Sequence, residues 1–567
     1  MEAMDAIVFG ATGFIGRSLV AELLGRGWRV AAAVRNDTLT PWLTSQGVDI
    51  RGLRIVAADI TRPLADLPEV RDVYNAAGRF AFGLSERDAR SVNVTGALNV
   101  VEWAATLPRL RRLVHISGYR VSAADGHPDY AGLGAYEASK FEADLAVRAR
   151  AEALSVPLTV ANPSTVIGPG QYIGLATLVE DLWNGRLPAL PGGSDTFLPV
   201  TTIDYFARFL AEIPASPAGE HYWVLDDDTP LLPDLIGTMA AHMGVRAPRR
   251  TVPANVLRRL PRRLTGADPE TLSFLSADRY PTDSARAFAA RIGLEMPPVT
   301  EALRTWADDL VAARFGSASP WQRPYGFHTV GGSPTWVSGD RRRPSHVLLH
   351  GLPMNADLWG PVAAHLPGPV LAPDLPGLGR SAPSTQPIDV WLDDLMDPVQ
   401  TRPVLVAHSL ACGPALRFAV DHPDRLDRLV LVSPAFLQAP APRLARSAVA
   451  APALRRMPTP RLARTLGVPD GPEVRSAAAD LRRAGVARRV AASLRADAAE
   501  RRRWRALLDR VTVPVQIVVG SKDPLTEAVD LPVAEIAGAG HYPQLTHPAQ
   551  LARFLGSLRT TGAPTGA

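Results

Sequence analysis

Tyr136 and Lys140 stand four residues apart in "GAYEASKFEAD", residues 134–144. That spacing is close to one helical turn, so both side chains leave the same face of a helix. A free phenol with a pKa near ~10 exchanges protons poorly at neutral pH unless a neighbouring cation lowers it. An ammonium is a compact point charge suited to that task, and it can also hydrogen-bond a ribose, whereas a guanidinium is larger and planar. The chain is selective here: of 61 basic residues only Lys140 and Lys522 are lysine. The pair predicts proton transfer at a carbonyl or alcohol oxygen. A second group lies far downstream. In "VLVAHSLACG", 404–413, Ser409 follows an apolar strand and is flanked two residues away by Ala407 and Ala411. A nucleophile on a sharp strand-to-helix turn needs small residues on both sides, because the two backbones come close. Asp523, just beyond the strand in "VPVQIVVGSKDP", and His541, in "AGAGHYPQLTHP", supply the acid and the base of a nucleophilic relay. His115, His350, His408, His547 and Cys412 read as structural.

The elements around these residues must hold them in place. Gly10, Gly13 and Gly16 form G-x-x-G-x-x-G between the strand "AIVF" and a helix. Such a turn lets a backbone approach a pyrophosphate, which then rests on the helix N-terminus. The next strand, "WRVAAAV", ends at Val34 and is followed by Arg35, where an acidic residue would select NAD. A guanidinium there can pair with a 2′-phosphate, so the expected cofactor is NADP, with NAD the other choice. In "LLHGLPMNADLW", 348–359, a His-Gly pair follows an apolar strand. The amides of Leu352 and of Leu410, the residue after Ser409, would form an oxyanion hole.

With 567 residues the chain is too long for one core. Strands alternate with helical patterns in both halves, which predicts an α/β fold with parallel sheets. The Gly-, Pro- and Ser-rich stretch 315–345 separates them, and "FHTVGGSPTWVSG" reads as a hairpin opening the second. We expect a first domain at 1–316, a linker at 317–326, a second domain at 327–560 and a disordered tail at 561–567. Hydrophobic residues make up 46% and charged residues 21%, as in an ordinary globular protein, and the net charge is +5. Arginines are spread along the chain, which speaks against a nucleic-acid partner. No apolar run is long enough to span a membrane, no signal peptide opens the chain, and one cysteine suits a reducing compartment. The expected location is the cytoplasm, the expected partners are small-molecule substrates, and no metal site is expected.

Further motifs bring out a family likeness. "GATGFIG" at 10–16, "AADIT" at 57–61, "NAAG" at 75–78, "NVTGALNVVEWA" at 93–104, "ANPSTVIGPG" at 161–170 and "GEHYWVLDDD" at 219–228 all contribute. Residues 1–315 resemble the extended short-chain dehydrogenase/reductases, which include NAD-dependent epimerases/dehydratases, dihydroflavonol reductases and 3β-hydroxysteroid dehydrogenases. The resemblance implies a Rossmann fold with a small substrate region. It also implies that Thr12, Phe14 and Ile15 join the three glycines in holding the dinucleotide. Asp59 and Ile60 would lie on its adenine side, with Ala76, Ala77, Gly78 and Pro163 further along it. Two departures stand out: Asn162 replaces the family's usual arginine, and Gly118 replaces the second of two adjacent hydroxyl residues. The substrate-polarising role then falls to Ser117, to Ser122, or is lost.

Residues 327–560 resemble the α/β-hydrolase superfamily, with its order Ser, Asp, His. In that likeness Ser409 attacks, His541 relays the proton and Asp523 holds the imidazole tautomer. The helical stretch at about 434–510 would be a lid. Its arginine-dense faces could attract an acyl-CoA or carrier-protein thioester, or simply face water. The expected function is an NADP-dependent ketone/alcohol oxidoreductase fused to an esterase, thioesterase or lactonase. The alternative is an epimerase/dehydratase-like or redox-sensing module joined to a non-hydrolytic or lyase-type domain.

Overall fold

A computed structural model describes residues 4–79, 83–120, 128–257, 275–321, 324–447 and 449–558. Ser122, the tail at 561–567 and two of the expected linker residues, 322–323, lie outside these. The chain divides into two compact units. One comprises Met1–Thr177, Pro188–Thr238 and Pro248–Trp306; the other comprises Leu178–Leu187, Met239–Ala247 and Ala307–Ala567. The division therefore falls ahead of residue 316, and two short upstream segments join the second unit.

In the first unit β1 (Ala6–Phe9), β2 (Val30–Val34), β3 (Leu53–Ala57), β4 (Asp72–Asn75), β5 (Arg112–Ile116), β6 (Leu158–Pro163) and β7 (His221–Val224) form one sheet. Their order is β7-β6-β5-β4-β1-β2-β3, and every pairing is parallel. The order reverses between β1 and β4, and ligands bind in the crevice at such a switch point. The central strands β1 and β2 are buried on both faces and wholly apolar, while the edge strand β3 exposes Arg54 and Ala57. Ala6 and Val8 enter one hydrophobic cluster, while Ile7 and Phe9 enter another on the opposite face. Helix α1 (Phe14–Gly25) packs Leu19, Val20 and Leu23 into the first of these clusters. Helix α2 (Ala135–Ala153) carries Tyr136 and Lys140.

The second unit contains β8 (Tyr325–Val330), β9 (Ser333–Gly339), β10 (His346–Leu349), β11 (Val370–Pro373), β12 (Val404–His408), β13 (Arg428–Val432), β14 (Val515–Gly520) and β15 (Val533–Ile536). Their order is β8-β9-β11-β10-β12-β13-β14-β15. The expected hairpin is present: β8 and β9 pair antiparallel across Gly331 and Gly332, whose φ angles are +56° and +70°. Two consecutive positive φ values suit the right-handed twist of a tight hairpin, and glycine adopts them without strain. From β11 to β15 the strands run parallel. Leu405 and Ala407 face one buried cluster and Val404 and Val406 the other. Helices α3 (Ile388–Met396) and α4 (Cys412–Asp421) flank β12 in sequence. Between β13 and β14 the chain forms α5 (Ala450–Arg456), α6 (Thr459–Leu466), α7 (Pro472–Arg482) and α8 (Val486–Leu508). Among the described residues no helix is long and apolar enough to cross a membrane.

Candidate active sites

The glycine turn of the first unit lies in the crevice between β1 and β4. Gly10 has φ +75°, and a Cβ there would come within 2.6 Å of the Ala77 amide nitrogen and 2.7 Å of the Ala76 carbonyl. At Gly16 a Cβ would fall 2.1 Å from the Gly10 oxygen. The first position needs glycine's backbone freedom and the second its missing side chain. Gly13 donates its N–H to Gly10 O at 2.9 Å and caps α1, whose first turn holds no acidic residue. Thr12 and Gly13 are exposed, and Phe14 and Ile15 are half-buried. Ala76, Ala77 and Gly78 follow β4 directly. Arg35 is exposed just after β2. Asp59, just after β3, accepts from Thr61 N at 3.0 Å and Thr61 Oγ1 at 2.8 Å. These bonds, with the Arg35 charge adding to them, hold its carboxyl below the usual carboxylate range. Ile60 is buried behind it.

Lys140 is buried, and its Nζ donates to the Ile116 carbonyl at 3.0 Å, at the end of β5. A Cβ at Gly78 would lie 3.9 Å from that nitrogen, so the amine faces the crevice side of the sheet. Burial lowers its pKa to about 8, with Asp144 partly opposing the shift. Tyr136 departs from the sequence-based expectation. Packing around the phenol pushes its pKa up, and Glu137 adds to the rise. The first cause is the cost of placing a phenolate among buried atoms. Ser117 follows β5 with 5% of its surface exposed, and its Oγ has no hydrogen-bond partner among the described residues. A Cβ built at Gly118 meets nothing within 4 Å. Pro163 ends β6 and is buried, as is Asn162, whose Oδ1 has no partner among the described residues. His115 belongs to the core: its Nδ1 lies 3.2 Å from Asn75 Nδ2, and burial, helped by the Lys140 charge, lowers its pKa to about 3.

In the second unit Ser409 sits on the turn between β12 and α4 with φ +55°. Such a conformation costs a non-glycine residue about 1–3 kcal/mol and exposes the side chain at the strand end. Ala407 and Ala411 on either side are 0% and 1% exposed. His541 Nε2 lies 2.9 Å from Ser409 Oγ, and its Nδ1 lies 2.7 Å from Asp523 Oδ2. A carboxylate can only accept, so Nδ1 carries the hydrogen and Nε2 is the acceptor facing the serine. Burial would raise the Asp523 carboxyl, but the His541 bond and charge and the Gln438 side-chain N–H together bring it below its usual range. Leu410 is half-buried directly after the serine. The loop after β10 lies against the same turn, because a Cβ at Gly351 would be 2.7 Å from Ser409 Cβ. Leu352 comes next, buried, with its carbonyl accepting from the Tyr542 hydroxyl at 2.7 Å.

Three residues that motif spacing did not single out support these groups. Gln438 donates to Asp523. His408 Nε2 donates to the His541 carbonyl at 2.8 Å, and burial with the His541 charge keeps its imidazole neutral. Asn93 donates to Ser139 Oγ on α2 at 2.9 Å and accepts from Arg79 N at 2.8 Å, linking α2 to the loop after β4. The available signals were that Asn93 opens the stretch "NVTGALNVVEWA" and that His408 directly precedes Ser409. Helix α7 is also tied to the loop after β10. Asn355 Nδ2 donates to Asp480 at 2.7 Å and Ser476 at 2.8 Å, Arg314 pairs with Asp480, and Arg380 bridges Asp357 and Asp374 at 2.8 Å each.

Comparison with known proteins finds relatives for each half. Residues 6–183 match the NAD dependent epimerase/dehydratase family, and residues 347–554 match the alpha/beta hydrolase family. The chain is 28% identical over 346 residues to the 2-alkyl-3-oxoalkanoate reductase of Stenotrophomonas maltophilia, covering 57% of this chain and 94% of that protein. It is 30% identical over 245 residues to the pimeloyl-[acyl-carrier protein] methyl ester esterase of Aromatoleum aromaticum, covering 36% of this chain and 94% of that protein. A solved UDP-glucuronic acid 4-epimerase from Bacillus cereus superposes with a TM-score of 0.43 at 16% identity, covering 54% of this chain and 98% of that one. Residues 6–183 thus carry an NAD dependent epimerase/dehydratase domain, and the second half of the chain belongs to the alpha/beta hydrolase family.

Proposed function

We propose that this is a bifunctional enzyme in which the first half reduces a ketone with NADPH and the second cleaves an ester or thioester through an acyl-Ser409 intermediate. The observation that carries the reading is the continuous relay Asp523–His541–Ser409, with both contacts below 3 Å. In the acylation step Ser409 Oγ bonds to the acyl carbon while its proton passes to His541 Nε2. The amides of Leu352 and Leu410 receive the developing negative charge. The bond from the acyl carbon to the leaving oxygen or sulfur then breaks, and His541 protonates that atom. Water, deprotonated by His541, releases the acid and restores the serine.

The first half fits a dinucleotide. The missing side chains at Gly10 and Gly16 let the turn close, and the N-terminus of α1 carries no competing carboxylate. Gly10, Thr12, Gly13, Phe14, Ile15 and Gly16 would hold the pyrophosphate. Arg35, exposed at the strand end, would pair with a 2′-phosphate, while Asp59 and Ile60 would border the adenosine. Ala76, Ala77, Gly78, Pro163 and Lys140 would line the nicotinamide end. When bound, the cofactor supplies hydride to the carbonyl carbon. Tyr136 donates its proton to the carbonyl oxygen, and the partnerless hydroxyl of Ser117 hydrogen-bonds the same atom.

The names of the two relatives suggest related chemistry for this chain: a 3-oxo acid derivative in the first site and an acyl ester carried by a thioester-bearing protein or CoA in the second. Residues 434–510 support the latter. They hold 17 arginines against six acidic residues, a net +11 where the whole chain carries +5. Arg455, Arg456, Arg461, Arg464 and Arg488 are all exposed there. This segment would serve as the lid of the hydrolase site. Two paired measurements test the reading. A fluorophosphonate should label wild type but not Ser409→Ala, and ketone-dependent NADPH oxidation should fall at least about 100-fold in Tyr136→Phe. Persistent labelling, or undiminished oxidation, removes the corresponding half.

A further inference from the structure

A cavity of about 240 Å³ opens beside the nucleophile turn, walled by Leu410 and Ala411, the two residues that follow Ser409. Leu349, Leu375, Ile388 and Trp391 make its sides apolar. One face of α8 closes it, with Ser493, Ala496, Glu500 and Trp504 spaced at helical intervals along that face. Trp504 is 6% exposed and rests on the backbone of α4: a Cβ at Gly413 would come within 2.7 Å of its indole.

The polar groups on this wall are Gln386, Ser493 and Glu500, and none of its lining residues among those described is a cation. Glu500 has an ion partner in Arg503 at 3.7 Å, but the two side chains are 43% and 56% exposed, so water screens the pair. A neutral alkyl chain entering the cavity gains by leaving water. A chain ending in a carboxylate would bring a second negative charge against an apolar wall and near Glu500, whose exposed partner Arg503 does not line the cavity.

We propose that the hydrolase site selects acyl esters with an uncharged alkyl acyl chain, on the order of six to ten carbons, and discriminates against the same chain ending in a carboxylate. Glu500 sets the charge preference and Trp504 the length. The inference rests on Ser409 being the nucleophile. It goes beyond that reading by naming the acyl group.

The test uses the full-length chain, with active sites first counted by fluorophosphonate titration. The substrates are p-nitrophenyl heptanoate, the mono-p-nitrophenyl ester of heptanedioic acid, and a series of longer and shorter alkanoates. Wild type should show a kcat/KM at least about tenfold higher for heptanoate than for its carboxylated counterpart. Glu500→Gln should narrow that ratio about threefold or more, and Trp504→Leu should move the alkanoate optimum to longer chains. A wild-type ratio within about threefold of unity overturns the proposal, and this comparison stands even if either variant fails to fold. A ratio unmoved in a fully titrating Glu500→Gln, or an unshifted optimum in Trp504→Leu, removes that residue's role. Failure of wild type to titrate would instead remove the hydrolase reading itself.

Discussion

Lys140 holds its charge where charge is costly. Burial brings its pKa from an ordinary 10.5 to about 8, so it is an ammonium at pH 7 and loses its proton as pH rises past that value. If the cation is the working form, ketone reduction should fall as pH climbs through about 8. The Tyr136 phenol titrates well above this range, so it does not contribute the break. A pH–rate profile of wild type beside Lys140→Arg checks the assignment. The arginine variant should be slower, since its planar head does not fit the Ile116 carbonyl, but its profile should lack the break. A break that survives in the variant belongs to another group. The choice of residue at 140 was readable from the rarity of lysine. The direction of the phenol's shift was not, because desolvation depends on atoms that spacing along one helix does not specify. Gln438 was missed for the same reason: it lies 85 positions from the Asp523 it supports.

At the level of elements, local chemistry was the most legible. The glycine turn, the Gly331–Gly332 hairpin and the Ala-flanked serine each follow from backbone geometry that few residues permit. The charge network around α7 could not be read, since Arg314, Asn355, Asp357, Arg380 and Asp480 come from separate stretches. Arg314 and Asp480 are 9% and 3% exposed. Burial works to raise the carboxyls of Asp357 and Asp480, and the nearby arginines, Arg314 among them, hold both below their usual range. Removing one partner of such a group leaves a buried charge short of compensation, at a cost of about 3–5 kcal/mol. Arg314→Ala should therefore lower the temperature at which fluorophosphonate labelling is lost by roughly 10 °C. Combining Arg314→Met with Asp480→Leu should recover much of that loss. Because both carboxyls are depressed in the folded chain, the network's contribution is present above about pH 4 and lost as pH falls through the native values. Thermal scans from pH 3 to 7 should follow that trend.

Across the whole molecule, the uneven placement of charge is the feature with the widest reach. A segment carrying +11 within a chain of +5 would, on the proposed reading, attract anionic substrates over distances comparable to the Debye length. Raising NaCl from about 50 to 500 mM should increase KM severalfold for an acyl-CoA or carrier-protein ester while leaving p-nitrophenyl alkanoates nearly unaffected. Equal sensitivity of both substrates would place the effect elsewhere. The preference for arginine has a practical corollary. With Lys140 enclosed by the fold, Lys522 is the one exposed lysine among the described residues. Apart from the α-amino group, an amine-directed tag should therefore enter at one position, directly beside Asp523. A dye attached there would sit next to the charge relay and could report ligand entry into the hydrolase without an engineered cysteine.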